Sequence, residues 1–468
     1  MPKPTFLKTI TTAIIPSRPT FAKVKGTHEL HREAICVFAA TGFFLDQDTY
    51  WKDQVVLRPA CHHEFNEADL LVKSTPYFNW HHSPQQISFE EALSQFTTLF
   101  ERIVDEQVKD NKVILPLSGG LDSRSQAAAL LHLKKDVSSY SYQFKGGYPE
   151  TKLAKSIAKV CDFSFQEYEV EKGYLWDVIE DLAKINGGYS EFTHPRQMAI
   201  IDEYESMGSI FSLGHWGDVL FDQGASQELE AKDLLPLILK KVVKKGGMDI
   251  AESLWQVWEL KGTFKSYLQK RIQVLLDEIK IDHVGAKMRA FKSLYWAPRW
   301  TSTNLAVFSE KRPISIPYYD NRMCEFICRI PEEHLAHRKL QIAYIKLRSK
   351  DLAKITWQDQ KPYNLYNYHR NKSPQNLPYR VINKLQRESN KLLGDPLVQR
   401  NWELQFLGTG NEKKLESYLF GSHLRKLIPP KIIEEMYQKF KSEDSVYYSH
   451  PVSMLLTLAL KMQQVHGA

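Results

Sequence analysis

The strongest constraint on the fold lies between residues 108 and 225, where strand-like and helical segments alternate. The strand-like segments are "KVILPL" (112–117), "VSSYSYQF" (137–144), "SFQEYEV" (164–170) and "SIFSLG" (209–214). The helical segments between them are "SRSQAAALLHLKK" (123–135), "ETKLAKSIAKVC" (150–161), "YLWDVIEDLAKI" (174–185) and "QMAIIDEYESM" (197–207). Such alternation indicates parallel strands joined by crossover helices. The sequence therefore predicts an α/β core over residues 108–225.

The segments on either side of this core have a different character. Residues 1–90 are mixed and rich in Pro, His and aromatic residues, and they show no clear period. Residues 88–108 have the pattern of an amphipathic helix. Beyond residue 226 the strand signals fade and long helical stretches follow. We predict a small N-terminal region over 1–90 and a domain over 91–468, with its α/β core at 108–225 and a mostly helical part at 226–468.

The composition is that of a globular protein and gives no signal for nucleic-acid binding. The 468 residues are 43% hydrophobic and 25% charged, which are ordinary globular values. The formal net charge of +7 suits an anionic ligand such as a nucleotide but is too weak to predict nucleic-acid binding. The lysines of "LKKVVKKGG" (239–247) are interpreted as a solvated helix face that ends at Gly246.

Cysteine usage and the apolar runs bear on localisation. Five cysteines without a CxxC motif favour a reducing compartment over a disulfide framework or a four-thiolate zinc site. The start "MPKPTFLKTITTAIIPS" makes a poor signal peptide, and the longest apolar runs are too short to cross a membrane. The prediction is a soluble cytoplasmic protein with neither a nucleic-acid nor a membrane partner.

The segment "SGGLDS" (118–123) lies between a strand-like run and a helix. Open α/β sheets bind ligands at the carboxyl ends of their strands, and a helix N-terminus offers free N–H groups and a partial positive charge. Gly119 and Gly120 remove side chains so that an anion can approach the backbone, and Ser118 and Ser123 add hydroxyl donors. Together these features predict a phosphate-binding loop.

Asp122 introduces a carboxylate beside the predicted phosphates. Mg²⁺ between them would remove the repulsion, because this ion is usually held by one or two carboxylates and by phosphate oxygens. The alternative, a helix N-cap with a tight turn, explains one Ser or Asp but not two glycines and two serines around the acid. The loop is not of the GxxxxGK[ST] type, since no lysine follows the glycines.

In its strand–loop–helix context, "SGGLDS" resembles the pyrophosphate loop (PP-loop) of the ATP pyrophosphatases, which cleave ATP between the α and β phosphates, usually to adenylate a substrate. Three further stretches resemble the asparagine synthetase branch. They are "SLGHWGDVLF" (212–221), similar to SGEGADELF, "IPYYDNRMCEFICRIPEEHL" (316–335), similar to VPFLDHRLVEFALSLPPEL, and "YIKLRSKDLAKI" (344–355), similar to the K-x-x-L-R helix. The resemblance runs from about residue 90 to 365, with a longer helical insert near 226–300. It implies a parallel-sheet core of the adenine nucleotide alpha hydrolase type that uses ATP and Mg²⁺.

The resemblance also assigns residues to the chemistry. Asp218 takes the place of the second metal-binding aspartate, beside Asp122. His215 takes the place of the glutamate of G-E-G, next to the acyl-adenylate. A histidine with an unperturbed pKa of roughly 6.5 suits a base for the incoming amine. The alternative for His215 is a hydrogen bond to a loop carbonyl.

Three basic residues complete the predicted site. "WQDQKPYN" (357–364) places Lys361 where the family has the lysine of R-x-K-x-G-F, and a lysine there would stabilise charge on the acyl-adenylate. The alternative is a solvated loop lysine. Lys346 and Arg348 are predicted to contact phosphate, and the alternative for Lys346 is a salt-bridged helix residue.

Other residues with chemical potential are interpreted as structural. Asp320 is predicted to be the N-cap of the helix that follows it, and Cys324 and Cys328 to be core residues. The histidines of "CHH" (61–63) and "HH" (81–82) are interpreted as packing or surface residues rather than zinc ligands.

Two departures from the family pattern shape the functional prediction. Asparagine synthetase normally begins with a glutaminase whose cysteine follows the initiator methionine, whereas here Pro2 follows Met1. Residues 36–63 resemble only the tail of that domain, so we expect a truncated, degenerate glutaminase region. Ser315 stands where the family has the arginine of E-x-R-x-P-F-L-D, so the substrate need not be aspartate.

The sequence thus predicts an ATP-dependent, AMP-forming amide ligase. It would join a small-molecule, sugar or peptide carboxylate to ammonia or an amine, with ammonia supplied freely or by a separate glutaminase. The alternatives are a tRNA-modifying PP-loop pyrophosphatase and a non-catalytic scaffold of the same fold.

Overall fold

The computed structural model describes residues 8–222, 229–392 and 397–466. Met1 and Pro2, and the boundary predicted between residues 225 and 226, lie outside the described residues. Most buried apolar side chains form one large cluster that extends along the chain from Ile14 to Leu460, and Ala22, Leu57 and Phe65 form a small separate one. The N-terminal region therefore shares a core with the rest of the described chain.

Residues 8–80 form two small antiparallel sheets and one buried helix. The strands are β1 (Lys8–Thr11), β2 (Phe21–Lys23), β3 (Gln54–Val56), β4 (Cys61–Phe65) and β5 (Leu71–Pro76). They pair in the orders β1-β4-β5 and β2-β3. Helix α1 (Arg32–Thr41) is buried from Ala34 onward, because its sequence is apolar on all sides. A Cβ at Gly247 would overlap the carbonyl of Ala40, so a glycine lets the next region pack directly on this helix.

A five-stranded parallel sheet forms the centre of the molecule, as the alternation predicted. The strands are β6 (Val113–Pro116), β7 (Val137–Phe144), β8 (Ser164–Val170), β9 (Ile210–Ser212) and β10 (Ile314–Ser315). Their order is β10-β9-β6-β7-β8, and every neighbouring pair is parallel. The prediction of an α/β fold with a parallel core is confirmed. Strand β10 was not predicted, since two residues are too few to show a period.

The helices around this sheet follow the predicted segments closely. They are α2 (Phe89–Val108), α3 (Leu121–His132), α4 (Thr151–Cys161), α5 (Leu175–Asn186), α6 (Tyr204–Met207) and α7 (Gly217–Asp222). The segment Arg196–Glu203 is 3₁₀-helical rather than α-helical. Met198, Ile201 and Tyr204 are buried three residues apart, which matches a helix with three residues per turn.

The chain from residue 229 onward is mostly helical where it is described, as predicted. Its helices are α8 (Ala231–Val242), α9 (Gly247–Val257), α10 (Phe264–Glu278), α11 (Val284–Phe291), α12 (Ser302–Lys311), α13 (Asn321–Arg329), α14 (Glu332–Leu335), α15 (Lys339–Arg348), α16 (Lys350–Lys354), α17 (Leu377–Leu392), α18 (Asn401–Phe406), α19 (Thr409–Leu419), α20 (Ser422–Arg425), α21 (Pro430–Ser442) and α22 (Ser445–His466). A π-helical stretch, Lys292–Thr301, joins α11 to α12. Among the described helices, none combines the length and the apolar composition that a bilayer crossing requires.

The interpretation of residues 239–247 as a solvated helix face that ends at Gly246 is confirmed only for Lys240 and Lys241, which are exposed in the last turn of α8. Helix α8 ends at Val242, and Gly246 has a φ of 67° and precedes α9. The ammonium of Lys244 lies over the rings of Trp296 and Trp300, at 5.9 and 5.5 Å from their centroids. Two consecutive glycines allow the chain to turn here, and the turn carries the lysine inward.

Two structural interpretations of single residues are confirmed. The side chain of Asp320 caps α13 by accepting a hydrogen bond from the N–H of Arg322 at 3.0 Å. Cys324 and Cys328 are buried in the core. The sequence pattern was sufficient for both predictions because a helix start and a four-residue spacing are local features.

A buried ion pair joins α11 to α14. The guanidinium of Arg289 donates to both carboxylate oxygens of Glu332, at 2.9 and 2.6 Å. His82 and His283 lie beside this carboxylate, and their ligand atoms and that of Glu332 are within 4.8 Å of one another. His283 Nδ1, however, accepts the N–H of Ala286 at the start of α11, and Arg289 already supplies the charge that Glu332 needs. The group is therefore a hydrogen-bonded structural cluster.

We expect Arg289→Met to lower the free energy of unfolding by about 3–5 kcal/mol, because Glu332 would remain buried without a counter-charge. The double variant Arg289→Met/Glu332→Met should recover most of this loss. Urea unfolding followed by circular dichroism measures both. The exposed pair Arg329–Glu325 is the control, where Arg329→Met should cost less than about 1 kcal/mol. Equal losses for the two arginines would contradict the assignment.

Candidate active site

The candidate active site lies at the carboxyl ends of β6 and β9. The loop after β6, residues 117–120, leads into α3, and the loop after β9, residues 213–216, leads into α7. Residues from both loops line one cavity of about 520 Å³. Because neighbouring parallel strands end at the same edge of the sheet, segments far apart in sequence meet there.

The two loops are in close contact because the second one carries glycines. A Cβ at Gly214 would lie 2.8 Å from the backbone carbon of Asp122, and a Cβ at Gly217 would lie 2.8 Å from its carboxyl carbon. These distances leave no space for a side chain. The contact brings Asp122 and Asp218 to the same cavity, together with Ser118, Ser123 and His215, which are also lining residues.

Asp122 already has a cationic partner in the protein. Its carboxylate pairs with the guanidinium of Arg338 and accepts a hydrogen bond from Gln341 Nε2 at 3.0 Å. Burial raises the pKa of Asp122, the Arg338 guanidinium opposes that shift, and the Asp218 carboxylate adds to it. His337 and Arg338 both have left-handed backbone angles, with φ values of 58° and 60°. Strained residues of this kind persist where surrounding contacts fix them, and they cluster at functional sites.

The predicted phosphate-binding loop is held by its own hydrogen bonds. The N–H of Ser118 donates to Ser123 Oγ at 3.1 Å, and the N–H of Gly119 donates to Gln358 Oε1 at 2.9 Å. A Cβ at Gly119 would lie 2.6 Å from a methyl group of Leu153. Packing therefore requires this glycine. At Gly120 the nearest atom to a Cβ would be Ser118 Oγ at 3.3 Å, so space remains there.

Arg124 stabilises the same loop through hydrogen bonds to backbone carbonyls, and the sequence analysis did not assign it to the site. Its side chain is fully buried and donates to four backbone carbonyls, those of Gly119, Leu352, Ile355 and Thr356, at 2.8–3.2 Å. Burial lowers its pKa to about 10, so the guanidinium stays charged at neutral pH. An arginine in a helix of small and apolar residues was the available signal.

The sequence analysis also did not predict the side of the cavity that carries Lys292 and two tryptophans, here called the aromatic wall. The π-helical stretch carries Lys292, Trp296 and Trp300, and all three line the cavity. The ammonium of Lys292 lies 4.9 Å from the ring centroid of Trp296 and 5.6 Å from that of Trp216. Trp216 has a φ of 79°, and its Nε1 donates to Ser293 Oγ at 3.1 Å. The spacing "KSLYWAPRW" was visible in the sequence, but it is equally typical of a buried helix face.

His215 is more strongly perturbed than the sequence suggested. Burial lowers its pKa to about 4, and the Asp218 carboxylate only partly opposes this shift. The assumption of an unperturbed pKa was therefore wrong. His215 is half-buried, lines the cavity and has its ring against Phe308. Its Nδ1 has no hydrogen-bond partner among the described residues. At neutral pH the imidazole is uncharged, and with this pKa it is a weaker base than the sequence analysis assumed.

Three predicted site residues do not line this cavity. Arg348 Nη2 pairs with a carboxylate oxygen of Glu101 at 2.7 Å. The ammonium of Lys346 lies 4.9 Å from the ring centroid of Tyr366, and Lys346 lines a different cavity. Lys361 is half-buried on the loop that follows Gln358–Gln360. The structure therefore does not bring these three residues to the aspartates.

A comparison with known protein families gives one result. The model of the asparagine synthase family matches residues 95–204. This segment runs from α2 to the start of α6, and it contains the predicted phosphate-binding loop but ends before Asp218. The match supports ATP-dependent amide ligation in general. No curated protein sequence matches the chain significantly.

We expect Gly217→Ala to weaken Mg·ATP binding roughly tenfold or more, since the added methyl group would displace Asp122. Isothermal calorimetry with a non-hydrolysable ATP analogue measures this affinity. Gly410→Ala is the matched control, because nothing lies within 4 Å of a Cβ at that position. Unchanged binding in Gly217→Ala would mean that the contact between the two loops does not shape the nucleotide site.

Proposed function

We propose that the chain forms an amide bond at the expense of ATP cleavage to AMP and pyrophosphate. The observation that carries this proposal is the contact between two acid-bearing loops at the strand ends, which places Asp122 and Asp218 at one cavity. The match to the asparagine synthase family over residues 95–204 supports the general class of reaction.

The donor set suits a magnesium ion and the phosphates of ATP. Asp122 is a half-buried carboxylate paired with Arg338, and Asp218 is exposed to the cavity. These two carboxylates would hold Mg²⁺, which neutralises charge on the departing pyrophosphate. The hydroxyls of Ser118 and Ser123 and the N–H of Gly120 would face the phosphates, while Arg124 keeps the loop in place.

The reaction has two steps. In the first, a carboxylate oxygen of the substrate attacks the α-phosphorus of ATP, the bond to the β-phosphate bridging oxygen breaks, and pyrophosphate leaves. In the second, the nitrogen of ammonia or an amine attacks the acyl carbon, AMP leaves, and the nitrogen loses a proton. We propose that His215 accepts this proton. Lys361, on the loop that follows the cavity residue Gln358, remains the proposed contact for the acyl-adenylate. Lys346 and Arg348, which were predicted to contact phosphate, do not line this cavity and are assigned no part in the two steps.

We expect Asp122→Asn and Asp218→Asn each to abolish pyrophosphate release from Mg·ATP while the protein stays folded. An amide is a poor ligand for Mg²⁺ compared with a carboxylate. A coupled pyrophosphate assay with a panel of carboxylic acids measures the effect. The exposed Asp181→Asn variant is the control. Pyrophosphate formation near the wild-type rate in either site variant would exclude a two-aspartate site.

The nitrogen donor is proposed to be ammonia or an amine rather than glutamine. Releasing ammonia from glutamine with a cysteine nucleophile requires a thiolate. All five cysteines are buried, and burial raises the pKa of each thiol. These cysteines therefore have the environment of core residues.

We expect the purified chain to release no glutamate from glutamine, and product formation to require added ammonium or an amine. A glutamate dehydrogenase assay measures the first quantity, and mass spectrometry of the product measures the second. Glutamine-dependent product in the absence of ammonium would contradict the proposed donor.

His215→Ala separates the two steps of the reaction. ATP–pyrophosphate exchange should stay near the wild-type rate, and amide formation should fall roughly a hundredfold, because a positioned base acts only in the second step. Since the pKa of His215 is lowered to about 4, the wild-type ring stays neutral from pH 8 down to about pH 5, and its protonation should not reduce amidation in that range. Equal loss of both activities would indicate a structural role, and an unchanged amidation rate would exclude His215 as the base.

A further inference from the structure

Lys292 is a buried cation without an anionic partner. Its side chain is 7% exposed and lines the cavity. Within the described part of the chain, its ammonium forms no salt bridge within 4.0 Å and no hydrogen bond, although the Asp218 carboxylate acts on it at longer range. Its contacts are the faces of Trp216 and Trp296. Burial lowers its pKa to about 8, with the Asp218 carboxylate opposing the shift.

Burying such a lysine costs desolvation free energy that packing alone does not return. Buried charges are normally paired, and cation–π contacts return only part of the cost of desolvation. A methionine would fill the same space without that cost. The π-helical backbone that begins at Lys292 and the left-handed backbone of Trp216 are two further unfavourable features at the same place. Features of this kind concentrate where a protein binds or transforms a ligand.

The charge around the aromatic wall limits what that ligand can be. Lys244 lies over Trp296 and Trp300, so two ammonium groups flank the same indole of Trp296. The carboxylates of Asp218 and Glu191 act on Lys292 and Lys244, respectively. With Asp218 engaged by Mg²⁺, an anion would be attracted to this wall, and an ammonium group beside the carboxylate of the ligand would be repelled. The rings of Trp216, Trp300 and Phe308 also offer flat apolar surface to the body of the ligand.

We propose that Lys292 binds the carboxylate of the acyl substrate beside Trp216 and Trp296, and that this substrate is a carboxylic acid with no amino group next to its carboxylate. The assignment deepens the proposed function and depends on it. Lys292 contacts the ring of Trp216, which lies in the same loop as His215, the residue that we assign to the second step. The substrate class is thus a ring- or chain-bearing acid that packs on the indole faces, not an α-amino acid.

Binding without ATP tests the site independently of catalysis. The tryptophan fluorescence of the full chain is titrated with benzoate and glucuronate, and with their neutral counterparts benzamide and glucuronamide. At least one acid should bind more tightly than its amide. Lys292→Met should weaken the binding of that acid roughly thirtyfold or more, and Lys292→Arg should retain most of it. Lys245→Met, which removes an exposed lysine outside the cavity lining, should match the wild type.

Two further measurements distinguish substrate binding by Lys292 from a structural role and from binding of the ATP triphosphate. Lys292→Met should raise the melting temperature of the ligand-free protein, because an unpaired buried charge is removed. A lower melting temperature would mean that the lysine is structural and would overturn the proposal. Calorimetric binding of Mg²⁺ and α,β-methylene-ATP should be the same in Lys292→Met and the wild type. A loss of nucleotide affinity would place the lysine on the triphosphate instead.

Catalysis then tests the substrate class. ATP–pyrophosphate exchange should be supported by acids without an α-amino group and not by aspartate, and Lys292→Met should raise the KM for the acid more than it changes the exchange rate at saturation. Exchange with aspartate alone would overturn the inference while preserving the proposed function. Lys292-dependent acid binding without exchange for any acid would instead refute the proposed ligase activity and leave the anion site standing.

Discussion

The contact between Asp122 and the glycines of the loop after β9 is the constraint on which the site depends. Parallel strands end at one edge of the sheet, but this alone brings loops only into the same neighbourhood. The absence of side chains at Gly214 and Gly217 lets the start of α7 pack against the start of α3. Two carboxylates from residues 122 and 218 thereby reach one cavity, and this proximity gives the candidate site its capacity for a divalent cation.

The charges in the cavity are arranged in two different ways. Asp122 is half-buried and paired with Arg338, so the protein itself supplies a cation for this carboxylate. Lys292 is buried against two aromatic faces, and the Asp218 carboxylate acts on it without forming a salt bridge. A paired anion and an unpaired cation are therefore present in one cavity. The first can exchange one cation for another, whereas the second gains most from an anionic ligand.

Sequence reasoning was reliable where the information is local. The strands β6 to β9 and the helices between them show their periods within single segments, and "SGGLDS" identifies itself by its position between a strand and a helix. Asp218 and His215 were found through resemblance, and the structure does bring them to the cavity with Asp122. Strand β10 was missed because two residues carry no period. The 3₁₀ segment was misjudged because its buried residues, Met198, Ile200 and Ile201, do not distinguish three residues per turn from 3.6.

The missed residues share a different cause. Arg124, Lys292 and Arg338 act through contacts with segments that are remote in sequence, and their own helices do not show which face will meet a cavity. Lys292 and Trp296, for example, are four residues apart, and this spacing is the same in a buried core helix and in a helix that lines a binding cavity. Assignment by resemblance to a family errs differently, because a motif match does not fix where a side chain lies. Lys346 and Arg348 were assigned by motif, but in the structure Arg348 pairs with Glu101 and Lys346 lies over the ring of Tyr366.

The candidate site is linked to the C-terminal half of the molecule through shared hydrogen bonds. Gln358 accepts the N–H of Gly119, Arg338 pairs with Asp122, and Arg124 donates to carbonyls from Leu352 to Thr356. Residues 338–358 thus satisfy polar groups that phosphates and a cation would otherwise engage. A phosphate that takes the Gly119 N–H must displace Gln358, and a cation on Asp122 must compete with Arg338. Because unsatisfied buried groups are costly, each displaced side chain would need a new partner, and the Asp218 carboxylate already acts on Arg338. Binding of the proposed nucleotide would therefore be coupled to the position of this segment through the hydrogen bonds that they share.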